Sequence, residues 1–218
     1  MITNLIISSI PAIVCLLTGI VLYRRLQPKW LRLFIYFLVL TLAVDAATTF
    51  YSQYFRKSNH FIVNIYLPLS FGFYFFIFYK TFETKKNKII CSIAFIIYLL
   101  FFLCDIIFIE GFYSFNSYSY SLGSILIVFC CLLYFMWLFT SDRVMNYFKI
   151  PMFWISTGLL FFFVGSLVEM SLFKYMMNNH LDIDGRIYQF IMITLNIVLY
   201  GAFTISFLCN QVWKKTSL

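Results

Sequence analysis

The sequence predicts an all-α polytopic membrane protein, a bundle of seven transmembrane helices in one domain spanning 1–218. Three observations predict it. First, the chain is 63% hydrophobic and 11% charged, with a mean hydropathy of +0.91, whereas a soluble domain carries about 25% charged residues. Second, its apolar residues fall into seven stretches that each meet the roughly 20-residue requirement of a spanning helix. Third, runs such as Ile89 to Leu103 are long and apolar at every position but Ser92. A transmembrane barrel strand would instead alternate polar and apolar residues over about ten positions.

The first span, 4–23, lacks a basic leader and a small-residue cleavage pattern. It is followed by Arg24 and Arg25, so it reads as a retained helix and not a signal peptide. Span two, 31–53, follows Trp30 and carries Asp45. Span three, 60–80, carries Asn64, Tyr66 and Ser70, with Pro68 expected to kink it. Span four, 89–108, holds Asp105 near its end. Span five, 120–139, follows a Tyr113–Ser121 run of tyrosines and serines. That run suits either an interfacial lid or an aromatic belt. Span six, 152–174, carries Glu169 and a small-residue surface at Gly158, Gly165 and Ser166, suited to close helix packing. Span seven, 188–209, carries Gln189, Thr194, Asn196 and Tyr200. It has no lysine for a retinal Schiff base.

Loop charge orients the bundle. Arg24, Arg25, Lys29, Arg32, Lys80, Lys85, Lys86, Lys88, Arg143, Lys149, Lys214 and Lys215 fall at one end; Arg56, Lys57, Lys174 and Arg186 fall at the other. The positive-inside rule places the first end in the cytoplasm. The expected topology is therefore multi-pass in the inner (cytoplasmic) membrane, amino terminus outside and carboxyl terminus cytoplasmic. The net charge of +8 serves anchoring, and nucleic acid is not an expected partner. Expected partners are membrane lipids and a cytoplasmic or membrane signalling protein. Oligomeric state is left open.

A weak internal repeat runs through the spans. Asp45 lies fifteen residues after Trp30, and Glu169 fifteen after Trp154. Asn64-Ile65-Tyr66-Leu67 matches Asn196-Ile197-Val198-Leu199. This suggests parallel three-helix repeats, 1–80 and 120–211, with 89–108 as the inverting linker. Repeat interfaces of this kind build membrane binding sites.

No serine–histidine–acid set, HExxH or nucleotide loop is present, and no catalytic residue, metal or cofactor is expected. The six cysteines all lie within spans and offer no loop-to-loop disulfide. His60 and His180 fall in outer connections. The acids Asp45, Asp105 and Glu169 lie at similar depth, where an ionised group is costly. Together with Asn64, Asn196 and Tyr200 they form the expected ligand-binding set of an outward-facing polar cavity. Asp105 and Glu169 also lie near enough to the outer interface to be simply wet.

The plan resembles the three-plus-one-plus-three group of sugar transporters and retrieval receptors. Here, though, Pro68 is followed by Leu69 and Gln189 by Phe190, where that group carries a proline–glutamine pair. Leu42-Ala43-Val44-Asp45 weakly resembles the acid-bearing helix of lysoplasmalogenase-type hydrolases, which usually have eight spans. Pro151-Met-Phe-Trp154-Ile-Ser-Thr-Gly158, Asn196-Ile-Val-Leu-Tyr200 and Phe207-Leu-Cys209 are similar to segments of uncharacterised seven-transmembrane proteins of Bacteroidota-like bacteria. Some of those look like the membrane sensor portions of signalling proteins. Those segments carry no activity with them; the outward-facing polar cavity reads as that of a sensor or interaction module that binds a small molecule or lipid. Two alternatives stay open: a small-solute or ion-coupled transporter, and an intramembrane lipid hydrolase using paired carboxylates.

Overall fold

The computed structural model describes residues 2–56, 58–140, 146–178 and 186–209, with side chains from Ser9 onward and, in the sixth helix, as far as Leu172. His180, Lys57, Arg143, Lys214 and Lys215 lie outside the described residues. The described residues form seven α-helices: α1 (Ile2–Val21), α2 (Leu33–Phe55), α3 (His60–Thr81), α4 (Lys85–Cys104), α5 (Ser117–Thr140), α6 (Pro151–Asn178) and α7 (Arg186–Leu208). A 3₁₀ turn over Lys29–Arg32 leads into α2, and a π turn over Asp105–Ile109 ends α4. Among the described residues, six helical segments are long and apolar enough to cross a membrane. The described apolar part of α1 is Ser9–Val21.

Two boundaries move from their expected places for local reasons. α4 begins four residues early because the Thr84 hydroxyl caps it, accepting from the Asn87 amide at 3.4 Å. α5 begins at Ser117, inside the tyrosine–serine run, because carboxylates from the end of α4 meet its first amides. Only residues 111–116 of that region form a loop. It turns at Gly111, whose φ of +80° suits a residue without a Cβ.

The helices pack as a ring in chain order: α1 on α2, α2 on α3, α3 on α5, α5 on α6, α6 on α7, and α7 back on α1. α4 stands outside, with α3 and α5 as its principal neighbours. Hydrocarbon supplies little hydrophobic drive between helices, so close van der Waals packing decides who neighbours whom. The small residues mark those contacts. A Cβ on Gly158 would fall 2.8 Å from the Ala202 Cβ and 3.3 Å from the Leu199 carbonyl of α7. Gly165 faces Leu195 of α7 in the same way, and Gly123 of α5 receives the Phe71 ring of α3.

At the end of the ring that carries the basic loops, aromatic side chains fill the interior. Phe34 meets Phe73, Phe203 and Phe207 edge-on, with ring centroids at 4.9, 5.1 and 6.3 Å. Phe37 stacks on Phe73 at 4.2 Å. Phe34, Leu38, Cys15, Phe203 and Phe207 are essentially inaccessible. Above this plug the interior opens.

Candidate functional site

A cavity of about 310 Å³ lies inside the ring and is walled by residues of all six ring helices. Helical periodicity explains its composition, since residues three to four apart share a face. α2 contributes Thr41, Asp45 and Thr48; α3 contributes Tyr66, Ser70 and Tyr74, flanked by Val63, Leu67 and Phe71; α7 contributes Met192, Asn196 and Tyr200. Phe162 and Phe163 of α6, Tyr120 of α5, Ser9 of α1 and Phe115 of the 111–116 loop complete the wall.

Asp45 is the one carboxylate among the described wall residues. It lies about 18 Å along α2 from Leu33 at 1.5 Å per residue, well above the aromatic plug. The hydroxyls of Thr48 and Thr49 donate to its main-chain carbonyl at 3.0 and 2.8 Å, leaving the carboxylate unsatisfied by either. No described residue donates a hydrogen bond to that carboxylate or pairs with it. A charged side chain at the centre of a membrane helix costs about 2.5–3.5 kcal/mol on insertion scales. Asp45 carries that cost with no hydrogen-bond or ion-pair partner among the described residues, its side chain exposed to the open cavity.

One turn toward the plug, the Thr41 hydroxyl donates to the Phe37 carbonyl at 2.9 Å and lies 2.7 Å from the Tyr66 hydroxyl. That second bond ties α2 to α3 and presents the Tyr66 ring to the cavity. Tyr74 packs edge-on against Phe37 and Phe163, with centroids at 5.3 and 5.8 Å. Tyr120 lies against Phe71, Phe115 and Phe163 at 6.0–6.4 Å. The described wall is thus one carboxylate, one carboxamide, several hydroxyls and a shell of aromatic faces.

The other expected residues separate. Asn196 and Tyr200 line the cavity with Asp45. Asp105 does not. It is fully buried where α4 meets α5, so it is not wet at the interface, and it accepts from both the amide and the hydroxyl of Ser119. Asn64 is also fully buried, and its side-chain nitrogen donates to the carbonyls of Phe112 and Ser114 at 2.8 and 2.6 Å. It fastens the loop that carries Phe115 over the cavity. Pro68 has no N–H for the Asn64 main-chain carbonyl four residues back, so α3 loses one helical bond here. Glu169 continues the α6 face beyond Phe162 and Ser166 and is buried, with one carboxylate oxygen unpartnered among the described residues. It stands outside the cavity wall, within electrostatic reach of Tyr120 and Tyr188. The three acids therefore occupy three environments. The described residues hold no cluster of three potential metal ligands.

Thr41, Thr48, Tyr74 and Tyr120 were absent from the expected set. The stripe 41–45–48 on α2, in step with 66–70–74 on α3, is the sequence signal that points to the first three. Tyr120 has no such marker, because its place depends on how α5 packs on α3. No family model, curated protein or solved structure matches this chain.

Proposed function

We propose that the protein is a seven-helix membrane module of the sensor or interaction type, which binds a small molecule in the cavity at Asp45. The observation that carries this reading is an acid without a partner among the described residues, set in a walled space of small-molecule size. The aromatic plug supports access from one side, as a sensor needs, over a through-path. A ligand that prefers one packing of the ring would shift the balance between packings, and a partner at the basic loops would read the shift. With the basic loops in the cytoplasm, the cavity opens toward the outer face. The ring order supports the repeat, because exchanging α1–α3 with α5–α7 maps each neighbouring pair onto another neighbouring pair.

The reading is tested on the full chain in lipid nanodiscs and in liposomes. The expected outcome is a saturable rise in thermal midpoint with a bound solute, lost in Asp45→Asn, with no flux of that solute into liposomes. Asp45-dependent flux would establish a transporter instead. Release of a lipid product would establish an enzyme. Labelling of an introduced cysteine at Asn59 by a membrane-impermeant thiol reagent in intact cells checks the orientation; protection from it would invert the topology.

A further inference from the structure

We infer that the cavity recognises a small organic cation, with Asp45 as its counter-ion and the surrounding tyrosine and phenylalanine rings as its cage. This rests on the reading that the cavity binds a small molecule, and it names the chemical class.

Three features lead to it. The first is charge. No lysine, arginine or histidine stands in the described wall, so Asp45 sets the sign of the cavity. An anion would meet uncompensated repulsion. A neutral apolar guest would strip water from the carboxylate and offer nothing in return.

The second is the aromatic lining. Four tyrosines (Tyr66, Tyr74, Tyr120 and Tyr200) and the rings of Phe71, Phe115, Phe162 and Phe163 face one space. The faces of aromatic rings carry negative charge density, and they attract ammonium groups within about 6 Å of the centroid. The Tyr66 hydroxyl is engaged by Thr41, so that residue offers its ring as much as its oxygen.

The third is volume and ligand count. A bare metal ion would need several oxygen ligands close together, and no second carboxylate stands beside Asp45 among the described wall residues. A cavity of about 310 Å³ instead suits a compact organic molecule. A quaternary or protonated amine spreads its charge over methyl or methylene groups that pack on rings while its centre pairs with the carboxylate. Such a group belongs equally to a free amine and to a choline-type lipid headgroup, and the recognition chemistry is the same.

The experiment uses the full chain in phosphatidylglycerol nanodiscs, which contain no choline headgroup. The probes are benzyltrimethylammonium, choline and the uncharged carbon isostere of choline, 3,3-dimethyl-1-butanol. Both cations should raise the thermal midpoint saturably, and choline should bind at least about tenfold more tightly than the isostere. Asp45→Asn should weaken choline at least about thirtyfold. Tyr200→Leu should weaken it about two- to thirtyfold, while Tyr200→Phe, which keeps the ring face, stays within about twofold. Doping the discs with phosphatidylcholine separates the sources. Loss of choline binding on doping identifies the lipid headgroup as occupant, and unchanged binding identifies a free cation. Either result upholds the class.

Equal binding of choline and its isostere would overturn the inference, as would an Asp45→Asn variant that binds normally. Absence of any shift with either cation at millimolar concentration would overturn it too. A sodium-induced shift equal to that of choline would replace the organic cation with an alkali ion. If the isostere binds and the cations do not, the cavity still binds a small molecule and only the cation class falls. Asp45→Glu and the Tyr200 pair keep the inference testable should Asp45→Asn fail to fold.

Discussion

Ser119 binds Asp105 twice: its main-chain amide lies 3.0 Å from Oδ2 and its hydroxyl donates to the same oxygen at 2.5 Å. Five residues on, the Glu110 carboxylate accepts from the Ser117 hydroxyl and the Tyr118 amide at 2.5 and 3.3 Å. The first turn of α5 thus receives two acids from the end of α4. Free amides and the helix dipole both favour negative charge at that position. Removing a buried, charge-assisted acceptor costs about 1.5–3 kcal/mol. Asp105→Ala should therefore lower the thermal midpoint in nanodiscs, with Asp105→Asn intermediate and choline affinity unchanged in both. A selective loss of binding with full stability would move Asp105 into the site.

Asn64 fastens the 111–116 loop with two donated bonds and accepts a third from the Asn116 amide at 3.4 Å. Polar bonds within membrane proteins are worth about 0.6 kcal/mol on average, up to about 1.7. Asn64→Leu should cost about 1–3 kcal/mol and open the loop to proteases near Gly111. Unchanged cleavage would mean the loop is held by its aromatic contacts alone.

Asp45 invites the opposite result. With no partner among the described residues, its charge opposes folding within the bilayer. Asp45→Asn should raise the thermal midpoint of the empty protein, by about 1–3 kcal/mol in stability, while binding is lost. A destabilised variant would show that the carboxylate contributes to the fold.

Glycine substitutions probe the ring. Gly158→Ala puts a methyl against the Ala202 Cβ and the Leu199 carbonyl. Backbone cannot yield as a flexible side chain does, so α6 and α7 must part, at about 1–3 kcal/mol. Gly201 has nothing within 4 Å of an added Cβ. There alanine should stabilise α7 by about 0.5–1 kcal/mol through helix propensity. Thermal unfolding of the two variants side by side checks the contrast, and equal effects would refute the packing account.

The number of helices was legible in the sequence because lipid imposes a length and a polarity on every spanning segment. Gly158, Gly165 and Ser166 were legible as a packing surface for a similar reason: small residues let backbones approach. A position along its span could be assigned to each of Asp45, Asp105 and Glu169 from the sequence, but depth is only one coordinate. Whether an acid at that depth faces the ring interior, a neighbouring helix end or a side pocket depends on rotation about the helix axis. The 41–45–48 stripe carried that information for Asp45. Nothing local carried it for Asp105, whose partner Ser119 lies across a loop.

The sequence alone therefore determined the class of the protein, the number of its helices and where its costly groups sit along them. Hydrocarbon punishes every misplaced polar residue, so composition by itself records those decisions. Only the tertiary structure decided that α4 stands outside the ring, that Asp105 and Asn64 serve the α5 cap and the loop, and that Asp45, Asn196 and Tyr200 share one space. Those outcomes turn on which helix faces meet, and in lipid that is settled by the fit of small residues against large ones between segments distant in the chain.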